Sequence, residues 1–338
     1  MEIIADYGSR KARAVDMSEY VNAQREPKIR PDIEKVFTNL KHCASYLVFH
    51  EYLSLDEIRL VKAHTCKQHL LCPFCAMRRS GKFVSKNLPK VEQVVNENRA
   101  RIPAMVTLTV KNGPCLRERF NHLRKAHKRL NQRRRHSLQG QKHTEWSKVA
   151  GGITSYEFTK KDEGDWHPHI HALVMLDDFI DQKALSAEWL EITGDSYIVD
   201  VRRIKGKPNA GGLDIASGLL EVCKYALKFH DMTPADTWIA YNVLRTRRLV
   251  DSFGLLRGVK LPENLLDSPL EGVAYIERHY RYKHGKRAYD LEEIRQMPAV
   301  DLPAISSESS ASTEQTVPSF QPLPDRSGRV SVVHLPES

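Results

Sequence analysis

The apolar positions of this chain change period several times between residues 104 and 229, and each change marks an element. Ala104-Met-Val-Thr-Leu-Thr-Val110 is apolar and rich in β-branched residues; bounded by Pro103 and by Asn112-Gly113-Pro114, it predicts a buried strand. Leu116, Phe120, Leu123, His127 and Leu130 then recur at spacings of four and three, which is one face of a helix. Residues 152–159 return to a strand pattern, and the charged Lys160-Lys-Asp-Glu-Gly-Asp165 reads as a turn into a third strand beginning near His167. A helix over 182–192 stopped by Gly194, a strand over 197–204 and a last helix over 213–229 complete the series. The order βαββαβα predicts an α+β domain of ferredoxin-like or RRM-like type: an antiparallel sheet with helices on one face and the other face free for a ligand.

The flanks read differently. Residues 1–40 are polar, mixed in charge and interrupted by Pro27 and Pro31, and predict a loosely structured leader. Residues 41–100 hold a cysteine-rich segment and a helix over 84–99, residues 101–230 the sheet domain, and residues 231–300 a basic, helical accessory region. Within the latter, residues 275–287 are aromatic and basic, suited either to solvent or to a nucleic-acid backbone. From Asp301 the chain carries nine Ser and five Pro in 38 residues, the composition of a disordered tail.

Charge narrows the partner. There are 52 Lys+Arg against 42 Asp+Glu, a net +10, and the tail opposes this excess with five acidic residues against two arginines. A basic body favours a polyanion. Nine of its cations lie over 117–135 with Glu118 alone against them, and Arg124, Lys125, Lys128, Arg129, Arg133, Arg134 and Arg135 are the candidates for phosphate contacts. No stretch of about 18 apolar residues or secretory leader is evident, which predicts a cytoplasmic protein without membrane contact, its six cysteines reduced.

The chemistry centres on His167-Pro168-His169-Ile170-His171. Alternate side chains of a strand share a face, so His169 and His171 project together, roughly 7 Å apart at their roots, close enough to hold one divalent ion. His167 faces the same way but stands behind Pro168, which marks a strand entry, and is the lesser ligand. Two histidines that only satisfy polar groups in a core are the alternative. The preceding strand offers one carboxylate, Glu157, which a hairpin brings opposite the histidines. A His, His, Glu set with open positions suits Mn²⁺ or Mg²⁺ acting on a phosphate. On the last helix Glu221, Tyr225 and Lys228 form one stripe at i, i+4, i+7, and Tyr225 can serve as a nucleophile if a cation favours its phenolate. An ordinary solvated face has the same pattern. Cys66, Cys72 and Cys75 are spaced C-x5-C-x2-C, and Cys43 supplies a fourth thiolate for a structural zinc, with His64 or His69 as substitutes for Cys43. Cys115 and Cys223 fit no ligand spacing and read as packing residues.

Val106-Thr-Leu-Thr-Val110, His-Pro-His-x-His and Lys224-Tyr225-Ala-Leu-Lys228 resemble, in order and spacing, the three motifs of rolling-circle plasmid replication initiators, members of the HUH endonucleases. The likeness covers roughly residues 43 to 253, and the cysteine pattern followed by Arg78-Arg79-Ser80 is similar to one found in the same group. It implies that His169 and His171 bind the metal and that Tyr225 cleaves one DNA strand, keeping the 5′ phosphate and freeing a 3′ hydroxyl that primes synthesis. It further implies that Lys228 assists near the scissile phosphate, that Glu221 ends the cycle by activating water, and that Glu157 is an added carboxylate ligand. Origin DNA, single-stranded or as a hairpin, is the implied partner, with a host helicase and polymerase behind it. An HUH transposase or relaxase, or a non-enzymatic zinc-containing DNA-binding regulator, are the rival readings.

Overall fold

The computed structural model describes residues 2–24, 31–160, 164–206, 213–223 and 232–299; Tyr225, Lys228 and the tail from Asp301 lie outside them. The expected loose leader is instead two helices, α1 (Glu2–Ala23) and α2 (Pro31–His42). Tyr7, Ala14, Met17 and Val21 recur on one side of α1 and are buried, as are Val36 and Leu40 of α2, so a narrow apolar stripe within a polar sequence is enough to dock both.

Strands β1 (Tyr46–Tyr52) and β2 (Glu57–Ala63) precede the long α3 (Pro73–Glu97), which begins with Cys72 as its N-cap and Pro73 in the first turn. The predicted series follows as β3 (Ile102–Thr109), α4 (Leu116–Leu138), β4 (Val149–Thr159), β5 (His167–Leu176), α5 (Gln182–Thr193), β6 (Val199–Arg203) and α6 (Ile215–Cys223). Beyond it, the region expected to be helical over 231–300 contributes one helix, α7 (Pro234–Leu244), and three strands, β7 (Val250–Gly254), β8 (Tyr275–Lys283) and β9 (Ala288–Met297).

These strands form two antiparallel sheets, one of five in the order β6-β3-β5-β4-β7 and one of four in the order β2-β1-β8-β9. The aromatic, basic segment is therefore sheet: Tyr282 and Tyr289 face each other across β8 and β9 and are buried. Strand β7 joins the edge of the larger sheet through a close approach, where a Cβ on Gly254, at φ +57°, would stand 2.1 Å from the Ala150 carbonyl oxygen.

Pairing fixes what shares a face. Glu157 lies opposite His169 and Ser155 opposite His171 on β4, while Thr107 lies opposite His171 on β3. Leu173 and Met175 continue the histidine row and pack with Phe83 and Val91 of α3 and Leu219 and Val222 of α6. Ile170, Ala172 and Val174 point the other way, into the core that takes in Phe120, Leu123 and Leu130 of α4 and Leu185 and Trp189 of α5. The histidine face is thus not free over its whole length: Ile153, Leu173 and Met175 are apolar, and α3 and α6 bury them.

Candidate metal centres

Three of the four ligands expected from the histidine strand converge. The ligand atoms of Glu157, His169 and His171 all lie within 4.8 Å of one another. Glu157 Oε2 is 2.9 Å from His171 Nε2, and Oε1 is 3.4 Å from His169 Nε2. The two rings stand 4.7 Å apart and nearly perpendicular, both presenting Nε2 to the carboxylate. Glu157 is 2% exposed and His169 6%.

A neutral His171 with a lone pair on Nε2 carries its proton on Nδ1, where Thr107 Oγ1 lies 3.3 Å away to accept it. Nδ1 of His169 is buried with no hydrogen-bond partner. Two imidazole nitrogens and one carboxylate converging in a buried pocket are a donor set that fits a divalent ion. His167 is left out: it shares the face, but its Nδ1 lies 2.5 Å from Asn112 Oδ1 and the converging group does not include it. Thr107 and Asn112 carried no signal in the sequence, because each acts only through the strand register or the loop before α4.

The second centre is the thiol cluster of Cys43, Cys66, Cys72 and Cys75, all buried. The Cys43–Cys72, Cys43–Cys75 and Cys66–Cys75 sulfurs are 3.6, 3.5 and 3.5 Å apart. Zinc–sulfur bonds of about 2.3 Å in a tetrahedron put sulfurs about 3.8 Å apart, so the cage has the size of a tetrathiolate metal site. Backbone N–H groups of Cys66 and Cys75 donate to the sulfurs of Cys43 and Cys72. The histidine substitutes are not needed: His69 turns its Nδ1 to Arg79, 3.3 Å away, and the cluster is complete without His64. Lys11, wholly buried, donates to the Lys41 carbonyl at 2.8 Å. Burial lowers its pKa, an effect that the nearby Cys43, Cys72 and Cys66 oppose.

Of the cations proposed for DNA, Arg133 grips Glu191 with two bonds, at 2.8 and 3.0 Å, and Arg134 donates to the Val149 carbonyl at 2.7 Å. Both therefore hold the domain together. Arg124, Lys125, Lys128, Arg129 and Arg135 are exposed, but α4 lies on the side of the sheet away from His169 and His171. Glu221 is half-buried on α6, which packs over β3, β4 and β5 on the histidine side. Cys115 is partly exposed at the N-cap of α4. Among the described residues no helix is long and apolar enough to cross a membrane.

Residues 57–292 match the Rep_1 family model, described as "Replication protein". A "Protein rep" of Bacillus amyloliquefaciens is 28% identical over 302 residues, covering 80% of this chain and 86% of that protein. Another, from Bacillus sp., is 28% identical over 282 residues, covering 75% and 88%. A third, from Streptococcus pneumoniae, is 27% identical over 220 residues, covering 60% and 64%. No solved structure matches the chain. The chain belongs to the Rep_1 family of replication proteins.

Proposed function

We propose that this protein initiates rolling-circle replication of a plasmid by cleaving one strand at the origin, with the metal-dependent chemistry of an HUH endonuclease. The observation that carries the reading is the convergence of Glu157, His169 and His171 on one face of a β-hairpin in a member of a replication protein family. The strand order β6-β3-β5-β4, with every neighbour antiparallel, supports assigning the domain to the ferredoxin-like split βαβ type.

Glu157, His169 and His171 would hold Mn²⁺ or Mg²⁺, which as a Lewis acid polarises a non-bridging oxygen of the scissile phosphate. The four thiolates suit zinc and a structural role. Tyr225, two residues after Cys223 in the sequence, is the nucleophile: its oxygen bonds to phosphorus, the 3′ oxygen leaves and takes up a proton, and the 5′ phosphate stays on the protein. Lys228 favours the phenolate. Glu221 serves as general base for the water that releases the product. The placement of α6 on the histidine face is what supports these three assignments.

The test is incubation of supercoiled plasmid carrying the gene and its flanks with the protein and Mn²⁺. A nick with a protein-linked 5′ end is expected, and Tyr225→Phe binds the same DNA without forming the adduct. A Tyr225→Phe protein that still forms the adduct removes the nucleophile. Binding without any cleavage by the wild type leaves a DNA-binding regulator.

A further inference from the structure

If α4 carries its exposed cations behind the sheet, the DNA must find positive charge elsewhere on the histidine side. A cavity of about 140 Å³ opens between α3 and the turn joining α7 to β7. Arg79 of α3 and Arg245, Arg247 and Arg248 of the turn line it, over an apolar floor that includes Leu244 and Leu249. Among the described residues that line it there is no Asp or Glu. Arg248 reaches Asp251 at 2.8 Å, and Asp251 lies outside that lining.

The cavity is in line with the metal centre. Val250, one of its walls, pairs with Ser155, and Ser155 pairs with His171, so the three side chains stand in one row on one face. Two interstrand spacings, about 10 Å, separate Val250 from His171 at the backbone. That is about three nucleotide steps at a stacked rise of about 3.4 Å. Several guanidinium groups gathered at one cavity favour an anion there, and their planar fork matches phosphate oxygens. Leu261, 42% exposed, is an apolar part of the lining on which a base or sugar can rest.

We infer that this arginine-rimmed cavity holds a phosphodiester of the single strand that is cut at the Glu157, His169, His171 centre, fixing the register of the strand. The inference rests on the strand-cleavage reading and adds a subsite to it. A fluorescein-labelled oligothymidylate of about twenty nucleotides, titrated by anisotropy over about 50 to 300 mM NaCl, tests it, since each phosphate contact on a single strand contributes about 0.7 to the slope of log affinity against log salt. Arg245→Ala/Arg247→Ala should lower that slope by about 0.7 to 1.4, while Arg245→Lys/Arg247→Lys keeps it. Arg247→Glu, a single exposed change, should also lower it. Slopes and affinities equal to the wild type in both the alanine and glutamate proteins overturn the subsite and leave the cleavage reading standing. A wild-type protein that binds no single strand at all overturns both.

Discussion

Acidification from pH 6.5 to pH 4 should weaken the fold through one imidazole, His127. It sits behind the larger sheet, 6% exposed, with Nδ1 2.9 Å from the Tyr156 hydroxyl and Nε2 buried without a hydrogen-bond partner. Burial pushes its pKa from the ordinary 6.5 down to about 4, with Asp251 opposing the shift. Burial also raises Tyr156 to about 12, so the phenol keeps its proton throughout. In the unfolded chain the imidazole titrates near 6.5. Between pH 6.5 and 4 the unfolded state therefore binds a proton that the folded state refuses, and stability rises with pH across that window. The contribution is full above 6.5 and gone below about 4, with a slope of at most about 1.4 kcal/mol per pH unit and a total of at most about 3 kcal/mol. Urea unfolding of the wild type and of His127→Gln at several pH values measures it, because glutamine fills the site and does not titrate. Any acid release of metal from the thiols affects both proteins alike and cancels in the difference. A stability difference between the two proteins that stays constant from pH 7 to pH 4.5 would refute the reasoning.

Glu157→Gln keeps the shape of the metal centre and removes its negative charge; Mn²⁺ affinity measured by titration calorimetry should fall at least about tenfold, and cleavage with it. Unchanged affinity would take Glu157 out of the ligand set. Elemental analysis should find one zinc per chain, lost in Cys72→Ser together with a lower unfolding temperature; a Cys72→Ser protein that retains both the metal and its melting temperature would show that the thiols only pack. Glu221→Ala should nick normally and then accumulate covalent protein–DNA product, and normal release of circles in that variant would end its role as base.

The sheet domain was legible because its signals are local. Residues 102–109, 149–159 and 167–176 are runs of apolar and β-branched residues that need only their own neighbours to be read, and the hairpin turn between β4 and β5 brings Glu157 opposite the histidine strand, while the register against His169 comes from the structure. The smaller sheet was illegible for the opposite reason. Its central pair joins Tyr46 to Arg281, more than two hundred residues apart, and β8 and β9 carry so many charges that only Tyr280, Tyr282 and Tyr289 mark their buried side. Helix α1 was missed because a buried lysine, Lys11, interrupts its apolar stripe, and its reason for being there, the thiol cluster, comes from other elements. The same holds for the arginine cavity: Arg79 and Arg247 are ordinary surface cations in the sequence and become neighbours only because β7 adds to the edge of β4.

Helix α3 explains why a chain with an ample core should also keep a thiol cage. Its first turn is part of that cage, through Cys72 at the N-cap and Cys75, while Phe83, Val91 and Val94 further along it pack against Ile153, Leu173 and Met175 on the histidine face. Arg79 lies between the two, on the wall of the cavity. A helix packed only by an apolar stripe can slide or rotate by a fraction of a turn at small cost, because the contacts that hold it are non-directional. Four metal–sulfur bonds at one end, formed by an ion held in the cage, would be directional and would remove that freedom. Loss of the cage should therefore displace the cover of the histidine face and the arginine beside it before it unfolds the sheet. On this argument Cys72→Ser lowers cleavage at temperatures where the domain is still folded, although the thiols form a group separate from Glu157, His169 and His171.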